Sequence, residues 1–108
     1  MRKIISTNNA PKAVGPYSQA IEANGTLYVS GQLPVNPTDG SVPESIEAQT
    51  EQSLKNIGAI LTEAGYTYAA MNAVYARFYT EQMPARVCYQ VAKLPMGVKV
   101  EIETVAVK

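Results

Sequence analysis

The chain of 108 residues has no histidine, no tryptophan, a single cysteine and no surplus charge of either sign. Each scarcity removes a class of chemistry. Without imidazole there is no His general base, no Ser-His or Cys-His nucleophile pair and no His-ligated metal. The one cysteine, Cys88, can form neither an internal disulfide nor a zinc–thiolate cluster, and a lone thiol suits a reducing compartment. Nine Lys and Arg balance nine Asp and Glu. A nucleic-acid binder normally carries a basic excess that displaces counterions from phosphates, so a nucleic-acid partner is not expected. No run approaches the roughly twenty apolar residues that cross a bilayer. Arg2 and Lys3 are followed only by Ile4 and Ile5, too few for the apolar core of a secretory signal. The expectation is a soluble cytoplasmic protein with no membrane partner, whose chemistry uses Arg, Glu, Tyr, Ser, Cys or backbone groups.

What is present reads as a single domain, residues 1–108, of α+β class. The composition, 46% hydrophobic and 17% charged, is that of an ordinary folded protein, and a chain of this length can bury roughly two thirds of its extended surface. Strands are expected at Lys3–Ser6, Ser18–Ala23 and Thr26–Ser30, with Thr7–Pro16 a loop. Asn24-Gly25 joins the second and third as a type I′ hairpin, because both residues tolerate positive φ. Gly31 is read as the end of the third strand, and Gln32–Pro43 as a loop turning at Asp39-Gly40. Ile46, Leu54, Ile57 and Leu61 recur at helical spacing and predict a helix over about Glu44–Ala64. Ser41 or Ser45 is its N-cap, and Gly65 is placed for the left-handed residue after the last turn. A second helix over about Ala69–Thr80 carries Met71, Val74, Tyr75 and Phe78 on one stripe, and Pro84 breaks it off. Two closing strands, Ala85–Ala92 and Val98–Val107, flank Leu94-Pro95-Met96-Gly97.

The alternation in these last strands is informative. Val98, Val100 and Ile102 share one face, leaving Lys99, Glu101 and Glu103 on the other. In the preceding strand Val87, Tyr89 and Val91 oppose Arg86, Cys88 and Gln90. If the two pair with their apolar faces together, Arg86 and Cys88 share a face with Glu101 and Glu103. With Val105 and Val107 on that same side and helices covering the other, the face resembles a wet subunit interface. Strand logic alone favours an ion pair between Arg86 and Glu101 or Glu103 over a carboxylate clamp. It likewise favours a buried filler over a nucleophile for Cys88, and packing over ligand contact for Tyr17. Ser30-Gly31 is either a plain strand end or a hydroxyl and amide offered to an anion.

Two longer strings change that balance. Ala10-Pro11, Val14-Gly15-Pro16-Tyr17-Ser18-Gln19-Ala20 and Val29-Ser30-Gly31-Gln32-Leu33-Pro34 resemble the opening of the Rid family. These are the reactive intermediate deaminases, RidA or YjgF-like, formerly called L-PSP endoribonucleases. Pro84-Ala85-Arg86-Val87-Cys88, Val91-Ala92-Lys93-Leu94-Pro95 and Val100-Glu101-Ile102-Glu103-Thr104-Val105-Ala106 resemble its closing signature. The resemblance implies a chorismate-mutase-like α+β fold, a mixed sheet with two helices on one face. It also implies a homotrimer with clefts between subunits, and cofactor-free, metal-free hydrolysis of 2-aminoacrylate-type enamines and imines to 2-keto acids and ammonia. By the same resemblance Arg86 grips the substrate carboxylate and Glu101 activates or positions the water. Tyr17, Ser30, Gly31, Asn72 and Cys88 line the cleft, Gly31 and Cys88 partly through backbone groups.

The chain departs from the family at one place. Members have a strand and an acidic loop between the helices, whereas Gly65-Tyr66-Thr67-Tyr68 runs directly into Ala69 here. Loss of a strand exposes unpaired edges and core residues. The junction therefore implies either residues missing from the sequence as written or an altered, domain-swapped or inactive assembly, with Asn72 the site residue nearest it. The competing functions are a non-catalytic, 2-keto-acid-binding or chaperone-like trimer and an RNA-acting ribonuclease or translation inhibitor.

Overall fold

Four strands and one long helix make up the regular structure of residues 1–66 and 91–107, the part of the chain described by the computed structural model. The strands β1 (Arg2–Ile5), β2 (Ala20–Ala23), β3 (Thr26–Gln32) and β4 (Ile102–Val107) lie side by side in that order. Every pairing among the described residues is antiparallel. The mixed character expected of the sheet, the second helix and residues 85–90 of the penultimate strand lie outside the described residues. Val91 and Ala92, at the end of that expected strand, are not in a strand.

The hairpin forms as its sequence requires. Ala23 pairs with Thr26, and Asn24 and Gly25 take φ of 52° and 75°. The second strand is shorter than the expected Ser18–Ala23 because the Gln19 side chain turns to the preceding loop. The third is longer, since Gly31 does not end it. Likewise β4 begins only at Ile102, after a short 3₁₀ turn at Pro95–Gly97 and an irregular stretch from Val98.

Helix α1 (Ile46–Glu63) starts at Ser45, whose hydroxyl accepts the Ala48 amide at 3.1 Å. It stops where Gly65 turns left-handed at φ 78°. There Gly65 N–H reaches Thr62 O at 3.1 Å and Tyr66 N–H reaches Leu61 O at 2.9 Å, a Schellman closure that satisfies the last carbonyls and folds Tyr66 into the core. Burial pushes the Tyr66 phenol pKa up, helped by the neighbouring Glu22 carboxylate.

The inner sheet face packs Ile5, Ala20, Leu27, Val29, Ile102 and Ala106 against Ile57, Ile60 and Leu61 of α1. Ile46, expected on the same apolar stripe, is exposed instead. It sits on the first turn, and the buried stripe begins only at Gln49. The outer face is uncovered by any described element. A cross-strand row of Ile4, Ile21, Tyr28 and Val105 runs over it, and Tyr28 and Val105 are 53% and 59% exposed.

One amide secures the N-terminal loop to this sheet. Gln19 is 4% exposed; its Oε1 accepts Thr7 N–H at 2.7 Å, and its Nε2 donates to Thr7 O, Ala10 O and Pro11 O at 3.0, 3.3 and 2.8 Å. A Gln19→Leu variant keeps the volume but strands these buried groups, each unmet one costing about 1–3 kcal/mol. Urea unfolding is expected to show a loss of about 3 kcal/mol at unchanged slope.

Candidate functional site

The pairing of β3 with β4 contains one irregularity. Val29 pairs with Thr104 and Gln32 with Ile102, so Ser30 and Gly31 together face the single residue Glu103. An extra residue on one strand is a β-bulge, and it resets the alternation of side chains. In a regular strand Gln32 would point the opposite way from Val29. Across the bulge both are inward, at 3% and 4% exposed. Ser30 and Gly31 are left at the boundary, partly exposed, beside the exposed Glu101 and Glu103.

Each bulge residue is held. Ser30 N–H donates to Gln19 O at 2.9 Å and Ser30 Oγ donates to Ser18 O at 2.7 Å, tying the bulge to the loop end that carries Tyr17. Gly31 is covered by the Glu101 side chain. A Cβ built on Gly31 would overlap Glu101 Oε1 and lie 3.0 Å from its Cδ and 3.3 Å from its Cγ. Among the described residues the Glu101 carboxylate takes part in no hydrogen bond or ion pair.

The lead-in to Glu101 is anchored on α1. Lys99 N–H donates to Gln49 Oε1 at 2.8 Å, while Gln49 Nε2 donates to Pro43 O at 2.8 Å. Lys99 Nζ reaches Glu44 O at 2.6 Å. On the other side of the bulge, Asn56 Nδ2 donates to Leu33 O and Val35 O, both at 3.0 Å, fixing the chain that leaves β3. Two buried helix amides thus hold the backbone on either side of the Glu101–Gly31 contact. Gln19, Gln49 and Asn56 were not singled out as functional in the sequence. The only available signal was polar residues at positions where the pattern predicts burial.

The structure thus sets Ser30, Gly31 and Glu101 beside one another. Tyr17 does not join them within one chain. It is 49% exposed and lines a separate cavity of about 340 Å³ with Ile4, Lys12 and Ser18, which none of the three touches. Arg86, Cys88 and Asn72 lie outside the described residues. Among the described residues no three acidic, His or Cys side chains cluster to hold a metal, and no helix is long and apolar enough to cross a membrane.

The chain matches the family described as endoribonuclease L-PSP over residues 7–69 and again over 66–108. It is 45% identical to a RutC family protein of Pasteurella multocida over 128 residues, covering 100% of this chain and 99% of the relative. It is 42% identical to the 2-iminobutanoate/2-iminopropanoate deaminase of Escherichia coli over 127 residues, again covering 100% and 99%. Among solved structures, the Rid-family protein YyfA of Yersinia pestis superposes with a TM-score of 0.90 at 44% identity, covering all of both chains. These alignments are longer than the 108 residues of this chain. The two family segments meet at residues 66–69, the junction where the sequence lacks the expected strand.

The Ser30 hydroxyl is the tie between bulge and loop. Ser30→Ala is expected to cost about 1 kcal/mol in urea unfolding, the worth of one partly buried hydrogen bond. It should also accelerate proteolysis within residues 8–18, and unchanged cleavage there would show that the loop is held by Gln19 alone.

Proposed function

This chain belongs to the endoribonuclease L-PSP family, the Rid proteins, and from that premise we propose that it is a cofactor-free hydrolase of small 2-imino acids. The observation that carries the proposal is the Glu101 carboxylate resting on the Ser30–Gly31 bulge with its oxygens unengaged by any described residue. The E. coli relative named for this activity adds support.

The reaction makes modest demands. An enamine such as 2-aminoacrylate tautomerises to the imine, whose carbon is already electrophilic. Water adds to the carbon of the protonated imine as Glu101 takes one water proton, forming a neutral carbinolamine. That proton passes from Glu101 to the nitrogen, the C–N bond breaks as the hydroxyl oxygen closes to C=O, and the hydroxyl proton leaves with ammonia as ammonium, releasing the 2-keto acid. A carboxylate of ordinary basicity suffices for this proton traffic, a role worth about 10²–10⁴-fold. Holding the substrate beside an oriented water contributes further through proximity.

In this proposal Arg86 clamps the substrate carboxylate, a task that a planar bidentate guanidinium does better than an ammonium. Ser30 and Gly31 border the reacting carbon through hydroxyl and backbone, and Cys88 and Asn72 complete the wall. The protein acts as a homotrimer with its clefts between subunits. Two features support that arrangement: the bare row of Tyr28 and Val105 on the outer face, and the opening of Tyr17 onto a cavity apart from Glu101. Tyr17 then enters the cleft from the neighbouring protomer. The reaction is assigned to the cytoplasm.

The test couples the protein to a pyridoxal-dependent serine or threonine dehydratase and follows loss of the imine against a carbonyl trap. Arg86→Ala is expected to abolish acceleration, and Glu101→Gln to lower kcat by about 100-fold with KM little changed. Full activity in either variant removes the assigned role. Binding of 2-ketobutyrate without turnover of any imine would make the protein a sensor, and RNA cleavage that survives repurification would make it a nuclease.

The assembly has its own test. Lysine at both Tyr28 and Val105 would bring like charges together in the proposed interface. Light scattering is expected to find a trimer for the natural chain and a monomer for the Tyr28→Lys/Val105→Lys variant, with unchanged far-ultraviolet dichroism. A variant that stays trimeric excludes this face as the contact.

A further inference from the structure

We infer that Gly31 is a positioning residue for Glu101, needed for the space it leaves rather than for its backbone freedom. Gly25, Gly40, Gly65 and Gly97 all take positive φ, and an added Cβ at each would meet nothing within 4 Å. Those four are glycines because of conformation. Gly31 is the reverse. Its φ is not positive, so an L side chain could follow the same backbone, yet an added Cβ would collide with the Glu101 carboxylate.

The obstacle is the far end of a flexible side chain, and that determines the consequence. Alanine at 31 need not disturb the sheet, because Glu101 can rotate away. It must, however, move the carboxylate off the bulge. No described residue holds Glu101 by a hydrogen bond or ion pair that would oppose the rotation. Among the described residues, packing on the Gly31 backbone is therefore the restraint on where the carboxylate stands. This deepens the reading given above and rests on it: if Glu101 aims the attacking water, residue 31 sets the aim. A displacement of about 1 Å in a positioned catalytic group can cost about 100-fold in rate.

Gly31→Ala is expected to leave the urea midpoint unchanged and the KM for the imine within about twofold, while kcat falls toward the level of Glu101→Gln, about 100-fold down. In a Glu101→Gln background Gly31→Ala should cost nothing more, because the group it displaces is already disabled. A further loss of the same size in that background would overturn the inference by showing that Gly31 acts independently of Glu101. A substrate-free measurement separates this from the functional reading. The ¹³C resonance of the Glu101 carboxyl is expected to shift in Gly31→Ala, whether or not the protein turns over imines, and an unshifted resonance overturns the inference. Should Gly31→Ala not fold, Gly31→Ala/Glu101→Ala, with the obstacle removed, is expected to fold, and its failure would be equally fatal.

Discussion

Between Val29 and Gln32, β3 carries one residue more than the strand it pairs with, and the candidate site depends on that mismatch. The surplus residue lets Val29 and Gln32 both point inward and stay buried, so the inner face continues past the bulge. It also leaves Ser30 and Gly31 at the sheet boundary beside Glu101. Had the strands paired without a bulge, the alternation would have sent Gln32 outward and withdrawn Gly31 from the carboxylate. The same local event thus serves packing on one face and sets the candidate site on the other.

The surroundings act to keep that mismatch in place. Gln19 pins the loop before β2, Asn56 pins the chain after β3, and Gln49 pins the approach to Glu101. Each is a primary amide, able to donate and accept at once, buried where a purely apolar side chain would leave loop amides or carbonyls unmet. Loops that bear binding groups have few apolar contacts of their own, so their geometry must be imposed from a rigid neighbour. Here the neighbours are β2 and α1. The Glu101 carboxylate is placed differently: it lies against Gly31, a residue with no side chain, and no described residue is hydrogen-bonded to it.

The uncovered outer face fits the same economy of parts. A sheet with one face under a helix ordinarily presents polar residues on the other. In this chain that face instead carries a cross-strand apolar row through Ile4, Ile21, Tyr28 and Val105. The proposed trimer would cover this row, and Tyr17 lines a cavity apart from Glu101. The junction at residues 66–69 follows in sequence just after the Schellman closure at Tyr66. Helix α1 therefore ends on its own local signals, before the place where the chain departs from its relatives.

Several elements were legible in the residues alone, because short-range rules dictate them. Asn24-Gly25 sets a two-residue hairpin, Ser45 and Gly65 bound the helix, and alternation from Val98 to Glu103 separates Val98, Val100 and Ile102 from the more exposed Lys99, Glu101 and Glu103. The Rid resemblance was likewise readable, since it resides in contiguous strings. Other features belonged to the tertiary structure. The exposure of Ile46, the extension of β3 through Gly31 and the late start of β4 depend on which surfaces meet across the molecule. So does the reason for glycine at position 31: the demand comes from a side chain seventy residues further along, and no local pattern carries the distance between two strands.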